Sequence, residues 1–260
     1  MMRRIACLSR AFRTGLAFAV FGVGALLVAG AGFPVLRLWP GGRETAERRA
    51  QRLVHVSFRV FAAFMTLLGL IRVTRAGVGR LRGRPPAVVV ANHPTLIDVV
   101  LLIAAMPQAD CVVKQAVWRN RFLRGVARGA GYLPNSEGAE LVDTCAARVR
   151  QGRWVLLFPE GTRSPRGGLG AFHRGAAHVA LRADCEVIPV VITCDPPILG
   201  KDQPWYRMPA LPARISITVE APRRPTTAAA ASTAPRLARD WTADLRALYA
   251  ARLGDGVGAR

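Results

Sequence analysis

A histidine and an aspartate stand five residues apart, directly after an apolar run. The run covers residues 88–91, and His93, Pro94 and Asp98 follow it. A buried strand that ends here, with a helix beginning at Pro94, places His93 at the turn where α/β sheets expose their ligand crevice. A carboxylate one helical turn along can orient the imidazole, fix its tautomer and make it more basic. This arrangement suits general-base removal of an alcohol proton, although a single His–Asp pair is more often a structural hydrogen bond.

A second apolar run, residues 155–158, leads into a turn that is rich in polar groups. Glu160, Gly161, Thr162 and Arg163 follow it. A glycine beside a carboxylate and a guanidinium makes a compact cradle for a hydroxylated or phosphorylated ligand. Alone, such a segment is more typical of a surface turn with an ordinary ion pair.

The sequence offers no sign of a covalent intermediate. It has no G-x-S-x-G elbow and no Ser, Cys or Lys nucleophile with a recognisable partner base, so direct attack by an acceptor hydroxyl fits better. The five cysteines have neither C-x-x-C nor metal-ligand spacing. We therefore expect reduced, mostly buried thiols in a cytoplasmic catalytic domain, and no metal site.

Short β-branched runs alternate with helical stretches after residue 70. Strands are predicted at 71–76, 87–91, 111–113, 154–158, 187–192 and 215–219, and helices at 96–106, 119–129, 140–149 and 174–183. Strands that are continuously apolar are typical of a parallel sheet covered on both faces. The predicted fold is α/β, with a mostly parallel sheet flanked by helices.

The first 71 residues are predicted to anchor the chain in a membrane. Residues 14–36 carry no charge and are long enough to span, whereas a cleaved signal peptide usually has a shorter core. A helix at about 44–71 has a second apolar run that is too short to span, so it suits an interfacial or re-entrant helix. Either the first helix alone anchors the chain, or the two helices together form a membrane hairpin. Residues 72–221 then form the catalytic domain, and 222–260 a linker with an amphipathic helix at 236–253.

The chain is strongly basic. It has 37 Lys and Arg against 16 Asp and Glu, a net charge of +21. Arginine-rich composition can follow from a GC-rich genome, or it can attract nucleic acid, an anionic membrane or an acidic carrier protein. No nucleic-acid-binding module is recognisable, and an apolar anchor argues against nucleic acid as a partner.

Taken together, the motifs resemble a known family. N-H-P-x-x-x-D at residues 92–98 is followed some sixty residues later by F-P-E-G-T-R-S at 158–164. The segments 172–177 (F-H-R-G-A-A) and 187–190 (V-I-P-V) match two further family blocks. Over roughly residues 60–220 the chain resembles the glycerolipid acyltransferases typified by lysophosphatidic acid (1-acyl-sn-glycerol-3-phosphate) acyltransferases.

The resemblance implies roles for particular residues. His93 would be the general base and Asp98 its partner, Glu160 and Gly161 would contact the acceptor, and Arg163 would bind an anionic group. Thr162, Lys114 and Arg174 complete the expected substrate-binding set. The implied donor is acyl-CoA or acyl-acyl-carrier protein, no cofactor is expected, and the partners are membrane lipids. The implied location is the inner (cytoplasmic) membrane, with the catalytic domain facing the cytoplasm.

One expected residue is missing. Relatives that use lysophosphatidate commonly carry an arginine between the two main motifs, where this chain has Asn135 and Ser136. Lys114 and Arg119 are candidates to replace its charge. The alternatives are a hydroxylated lipid acceptor without a phosphomonoester, water as the acceptor, or a catalytically silent membrane scaffold.

Overall fold

The computed structural model describes residues 2–81, 84–135, 138–166, 168–225 and 234–255. The chain divides into two units that interleave along the sequence. The first unit comprises Met1–Val73, Thr95–Asn135 and Cys194–Ile215, and the second comprises Thr74–Pro94, Ser136–Thr193 and Ser216–Arg260. Each unit contains its own helices and its own buried apolar residues.

The described residues form nine α-helices and seven strands. The helices are α1 (Met2–Leu27), α2 (Phe33–Arg37), α3 (Arg43–Leu67), α4 (Asp98–Ile103), α5 (Gln115–Arg119), α6 (Arg124–Gly129), α7 (Ala139–Arg150), α8 (Gly175–Ala183) and α9 (Ala234–Asp255). The strands are β1 (Ile71–Ala76), β2 (Val88–Ala91), β3 (Ala109–Val113), β4 (Leu133–Pro134), β5 (Trp154–Leu157), β6 (Val187–Asp195) and β7 (Ala213–Val219).

The predicted apolar span is helical throughout. A five-residue π-helical segment, Val28–Gly32, joins α1 to α2. Within this stretch, Cys7–Arg37 (31 residues) is long enough to cross a membrane, and its most apolar 18 residues have a mean hydropathy of 2.2. The second helix ends earlier than predicted, because α3 stops at Leu67 and β1 begins at Ile71.

In the first unit, α1 and α3 run antiparallel against each other. The ring of Phe21 packs on the rings of Phe58 and Phe61, with centroids 5.9 and 5.0 Å away. Near the middle of α1, the Arg13 guanidinium donates a 2.8 Å hydrogen bond to the carbonyl of Leu68. That carbonyl lies just past the end of α3, where helix carbonyls lack partners within the helix. A cation on one helix thus caps the end of the other.

The buried face of α3 includes three polar residues. Glu47, Gln51 and His55 lie four residues apart along it and are all buried. The Gln51 amide donates to the Asp110 carboxylate at 2.8 Å, and His55 Nδ1 lies 2.8 Å from the Ile103 carbonyl. These hydrogen bonds offset the cost of burying polar groups and fix the position of α3 in the first unit.

The second unit contains the parallel core of the sheet. β2 pairs in parallel with β5 on one side and with β6 on the other, and β7 lies beyond β6. All four residues of β2 are buried, as its unbroken apolar sequence predicts. After β7 the chain turns antiparallel to β6, with a bridge between Val187 and Arg223. The α/β prediction is confirmed, with a mixed sheet flanked by helices.

The C-terminal prediction needs one adjustment. Because Arg223 still pairs with β6, the predicted linker begins later than residue 222, and residues 226–233 within it lie outside the described part of the chain. The helix beyond it, α9, buries Ala238, Thr242, Leu245 and Tyr249 along one stripe, as the predicted amphipathic pattern requires.

The prediction of one helix at 119–129 is wrong. The structure has two short helices, α5 and α6, separated by a turn at residues 120–123. The Asn120 side-chain oxygen accepts hydrogen bonds from the backbone N–H groups of Phe122 and Leu123, at 2.9 and 3.3 Å. Asparagine competes with helix hydrogen bonding in this way, and the turn follows from it.

Two glycines let α6 approach α2 and the π-helical segment before it closely. A Cβ atom added at Gly125 would meet the side chain of Ala29, and one added at Gly129 would overlap the ring of Phe33. The two glycines are four residues apart and therefore share one helix face. Small residues at this spacing allow two helix backbones to pack together.

Replacing Gly129 with alanine is therefore expected to destabilise the first unit. The added methyl overlaps Phe33, and overpacking of this kind costs about 1–3 kcal/mol. The measurement is the thermal unfolding midpoint in detergent. Gly79→Ala is the control, because nothing lies within 4 Å of the added Cβ there. Equal midpoints for the two variants would show that the Gly129 contact does not constrain the packing.

Candidate active site

His93 is held at the carboxyl end of β2. Just before it, the Asn92 side chain accepts a hydrogen bond from the Ile192 N–H at 2.7 Å and donates one to the Ile192 carbonyl at 2.8 Å. Asn92 is buried, whereas His93 is half-buried. The strand end is thus fixed by its neighbour β6, and the histidine follows at the position where parallel sheets present functional groups.

Glu160 lies just beyond β5 and is only 4% exposed. Its Oε1 accepts hydrogen bonds from the His93 backbone N–H at 3.1 Å and from the Ser164 hydroxyl at 2.6 Å. Its Oε2 accepts from the Gly170 N–H at 2.8 Å. A buried carboxylate needs such donors, because burying an unpaired charge is costly. The carboxylate thereby joins the two sequence motifs.

The turn after Glu160 is tied to His93 a second time. The Ser164 N–H donates to the His93 carbonyl at 2.8 Å, and the Ser164 hydroxyl lies 3.3 Å from the His93 nitrogen. The backbone of His93 is therefore held through both its N–H and its carbonyl. Ser164 was missed by the sequence interpretation, although it is the last residue of the F-P-E-G-T-R-S motif.

The imidazole of His93 also has an aromatic neighbour. The ring of Phe158 lies against it, with centroids 4.4 Å apart and planes inclined by 30°. Phe158 comes from the end of the second apolar run. This contact restrains the plane of the imidazole, a role that the motif alone did not reveal.

The backbone conformation at position 161 requires glycine. Its φ is +62°, in the left-handed region, and its Cβ position lies 3.4 Å from the His173 ring. Thr162 and Arg163 follow it and are half-buried, whereas Arg174 is exposed at the start of α8. Glu160, Gly161, Thr162, Arg163 and Arg174 thus all belong to the second unit with His93.

The other predicted residues belong to the first unit. Asp98, the first residue of α4, is fully buried. Its carboxylate accepts hydrogen bonds from the Thr95 N–H at 2.7 Å and from the Thr95 hydroxyl at 2.6 Å. These bonds fix the carboxylate at the start of its helix. Lys114 is exposed just before α5, and of the Asn135–Ser136 pair, Ser136 lies outside the described residues.

The C-terminal helix, α9, supports the strands that lead into the site. The Tyr249 hydroxyl donates to the Val90 carbonyl at 2.6 Å and accepts from the Val190 N–H at 3.0 Å, so it is inserted between β2 and β6. Burial raises the pKa of Tyr249 far above its usual value, which keeps the hydroxyl protonated as a donor. From the same helix, Arg246 donates to the Gly170 carbonyl at 3.1 Å, beside the N–H that holds Glu160.

Two thiols are unsuited to nucleophilic catalysis at neutral pH. Burial raises the pKa of Cys185 to about 11. Burial raises the pKa of Cys194 to about 11 as well, with a further contribution from the carboxylate of Asp98. Because the thiolate is the reactive form, both side chains stay unreactive. This supports direct attack by an acceptor hydroxyl over an acyl-thiol intermediate at either position.

The comparison with protein families decides the assignment. The family model described as Acyltransferase matches residues 72–193, which include both motifs. Residues 72–193 belong to the acyltransferase family. The acyltransferase domain therefore contains His93, Asp98 and the whole turn from Glu160 to Ser164.

Curated relatives carry similar sequences over part of their length. A 1-acyl-sn-glycerol-3-phosphate acyltransferase of Pseudomonas aeruginosa is 28% identical over 153 residues, which cover 55% of this chain and 58% of that protein. A human 1-acyl-sn-glycerol-3-phosphate acyltransferase beta is 30% identical over 122 residues, covering 43% of each chain. A coconut 1-acyl-sn-glycerol-3-phosphate acyltransferase is 28% identical over 114 residues, which cover 41% of this chain and 37% of that protein. The chain thus spans less than two thirds of the length of each.

The fold has a close structural counterpart. The crystal structure of the 1-acyl-sn-glycerophosphate (LPA) acyltransferase PlsC from Thermotoga maritima superimposes with a TM-score of 0.73 at 18% identity. The match covers 99% of this chain and 98% of that chain. The likeness therefore extends beyond the acyltransferase domain to the N-terminal helices and to α9, as a likeness of fold.

Removing the Tyr249 hydroxyl is expected to destabilise the acyltransferase domain. Tyr249→Phe leaves the Val90 carbonyl and the Val190 N–H without their partner in a buried setting, which costs about 1–3 kcal/mol. Denaturant unfolding followed by circular dichroism measures the loss. Tyr206→Phe is the matched control, since Tyr206 is 60% exposed. A stability unchanged from wild type would show that the inserted hydroxyl is dispensable.

Proposed function

We propose that the protein transfers a fatty-acyl group from acyl-CoA or acyl-acyl-carrier protein to the hydroxyl of a lysophospholipid such as 1-acyl-glycerol-3-phosphate. The reaction would serve phospholipid biosynthesis. The observation that carries the proposal is the joining of the two motifs: the Glu160 carboxylate binds the backbone of His93 within an acyltransferase-family domain. Relatives named for this activity support it.

His93 acts as the general base in this proposal. Its imidazole takes the proton from the acceptor hydroxyl while the oxygen attacks the thioester carbonyl carbon. The tetrahedral intermediate then collapses, the carbon–sulfur bond breaks, and the imidazolium returns the proton to the departing thiolate. Asp98, five residues along the chain, is the carboxylate partner that the H-x4-D spacing predicts. No metal and no cofactor is required for this sequence of steps.

Glu160 acts through His93 rather than by touching the reacting atoms. Both of its carboxylate oxygens already accept hydrogen bonds from the protein, and its side chain is buried. Acceptor contacts then fall to Gly161 and Thr162. Arg163 and Arg174 supply cations for a phosphate, which an arginine fork binds well.

The acceptor has a second candidate, a hydroxylated lipid without a phosphomonoester. Asn135 and Ser136, which stand near the place where the family resemblance implies an arginine, favour it. The Asn135 N–H donates to the Val113 carbonyl at 2.7 Å. Lys114 and Arg119 are exposed cations of the same unit that can replace the missing charge. With no replacement cation, a phosphate-bearing acceptor would bind about 1.5–3 kcal/mol more weakly, which is the value of one charged hydrogen bond.

The proposed location is the inner membrane, with the acyltransferase domain on the cytoplasmic side. Of the described residues, every exposed large apolar side chain belongs to the first unit, including Phe12, Val60, Leu67 and Trp205. Soluble surfaces rarely carry so much apolar area, and lipid is a natural covering for it. The antiparallel α1–α3 pair supports a hairpin that enters and leaves the same leaflet.

The test is acyl transfer by the full chain in detergent. Radiolabelled acyl-CoA and acyl-acyl-carrier protein are each supplied with 1-acyl-glycerol-3-phosphate or with the matching 1-acyl-glycerol, which differs only in the phosphate. A labelled diacyl product is expected with wild type. His93→Ala is expected to lose about 10²–10⁴-fold in rate, the usual contribution of general-base catalysis.

His178→Ala is the control, because His178 lies in α8, outside the proposed catalytic group. Faster reaction of the phosphate-bearing acceptor supports a lysophosphatidate acyltransferase, and faster reaction of 1-acyl-glycerol moves the assignment to a neutral acceptor. Free fatty acid formed at the same rate with and without acceptors would identify a hydrolase. A folded wild-type protein that labels no product, or a His93→Ala variant as active as wild type, would contradict the proposal.

A further inference from the structure

A cavity of about 340 Å³ lies in the first unit, where α2, α3 and α6 meet. Phe33 and Gly129 form part of its wall, and the guanidinium-bearing residues Arg37, Arg43 and Arg128 line it as well. The volume falls within the usual range of small-ligand sites. None of these residues belongs to the two acyltransferase motifs.

The charge of the lining is positive. Three arginines face one carboxylate, Glu47, so the net formal charge is +2. Glu47 is buried and accepts a 3.2 Å hydrogen bond from Arg43 Nε, so those two charges offset each other. Among the described residues, neither Arg37 nor Arg128 has an acidic partner within 4.0 Å. Their charges are available to an anionic ligand.

The cavity lies at the end of the apolar helix. Arg37 is the last residue of the stretch that is apolar enough to cross a membrane. Val35, Leu38 and Trp39 beside it are exposed, Leu38 to 81%. Tryptophan and arginine at the end of an apolar helix are typical of the depth at which lipid headgroups lie. An anionic group at this depth is a lipid headgroup, and its acyl chains can cover the apolar surface beside the cavity.

We propose that this cavity binds the phosphate of an anionic phospholipid that is neither donor nor acceptor in the acyl transfer. Arg37 and Arg128 bind the phosphate oxygens, and the acyl chains lie along the exposed apolar side chains of residues 35–39. The Arg128 guanidinium also lies 5.5 Å above the Trp118 ring, which holds it in place. The site makes attachment of the first unit depend on anionic lipid.

The test measures binding of the full chain to vesicles at fixed salt. The vesicles are phosphatidylcholine alone or phosphatidylcholine with phosphatidylglycerol, and flotation gives the bound fraction. The variant is Arg37→Gln with Arg128→Gln. The control is Arg75→Gln with Arg214→Gln, which removes two exposed charges from β1 and β7. Thermal unfolding in detergent checks that both variants are folded.

The site variant is expected to bind the phosphatidylglycerol vesicles about tenfold more weakly, with little change on phosphatidylcholine, since each arginine near an anionic surface contributes strongly. The control is expected to bind like wild type. Equal weakening in both variants would overturn the site and leave only the diffuse attraction of the chain's net charge of +21.

Trp118 fluorescence separates the sources of the phosphate. The signal is the difference between wild type and Trp118→Phe, titrated with soluble short-chain phosphatidylglycerol or with glycerol phosphate. The lipid is expected to change this signal at concentrations where glycerol phosphate does not. Equal responses would assign the site to a soluble anion instead. Displacement of the vesicles by acyl carrier protein, abolished in the site variant, would assign it to an acidic protein.

Discussion

The buried carboxylate of Glu160 is the constraint on which the arrangement of the acyltransferase domain depends. A charge that is removed from water must find donors nearby. Three donors meet it: the His93 N–H, the Ser164 hydroxyl and the Gly170 N–H. They come from the end of β2, from the turn after β5 and from the loop that precedes α8. Satisfying one carboxylate therefore fixes three separate stretches of chain around the proposed base.

The strand that precedes His93 is also held by the C-terminal helix. Just before His93, two polar side chains link β2 to β6: the Tyr249 hydroxyl, and the amide of Asn92. Tyr249 and Arg246 are both on α9, outside the family-matched residues 72–193. The domain thus takes part of its support from a segment that the motifs do not include.

Much of the fold follows from local sequence. The strands at the centre of the sheet were predicted because parallel strands buried on both faces are continuously apolar, as residues 88–91 are. The short strand β4 was missed, since two residues carry no periodic signal. The predicted helix at 119–129 failed because a single asparagine side chain, Asn120, can redirect the backbone.

The candidate site, like the fold, could be predicted only in part from the sequence. The motifs indicated a functional role for both His93 and Glu160, and in the structure a hydrogen bond links them. A linear pattern does not show, however, whether a carboxylate faces a ligand or the protein interior. Glu160 faces inward. The supporting contacts of Phe158 and Tyr249 depend on tertiary packing, so no spacing rule could have found Tyr249, some 156 residues beyond His93. Phe158, at the start of a motif, was available to be found.

The most direct test of this account is a double-mutant cycle on the kcat/KM of acyl transfer, with Glu160→Gln, His93→Ala and the double variant, all shown to be folded. If Glu160 acts by positioning His93, the two effects share one cause. The double variant should then stay within about twofold of His93→Ala alone. Losses that multiply instead would mean that Glu160 contributes independently of His93, for example by binding the acceptor, and would contradict the account.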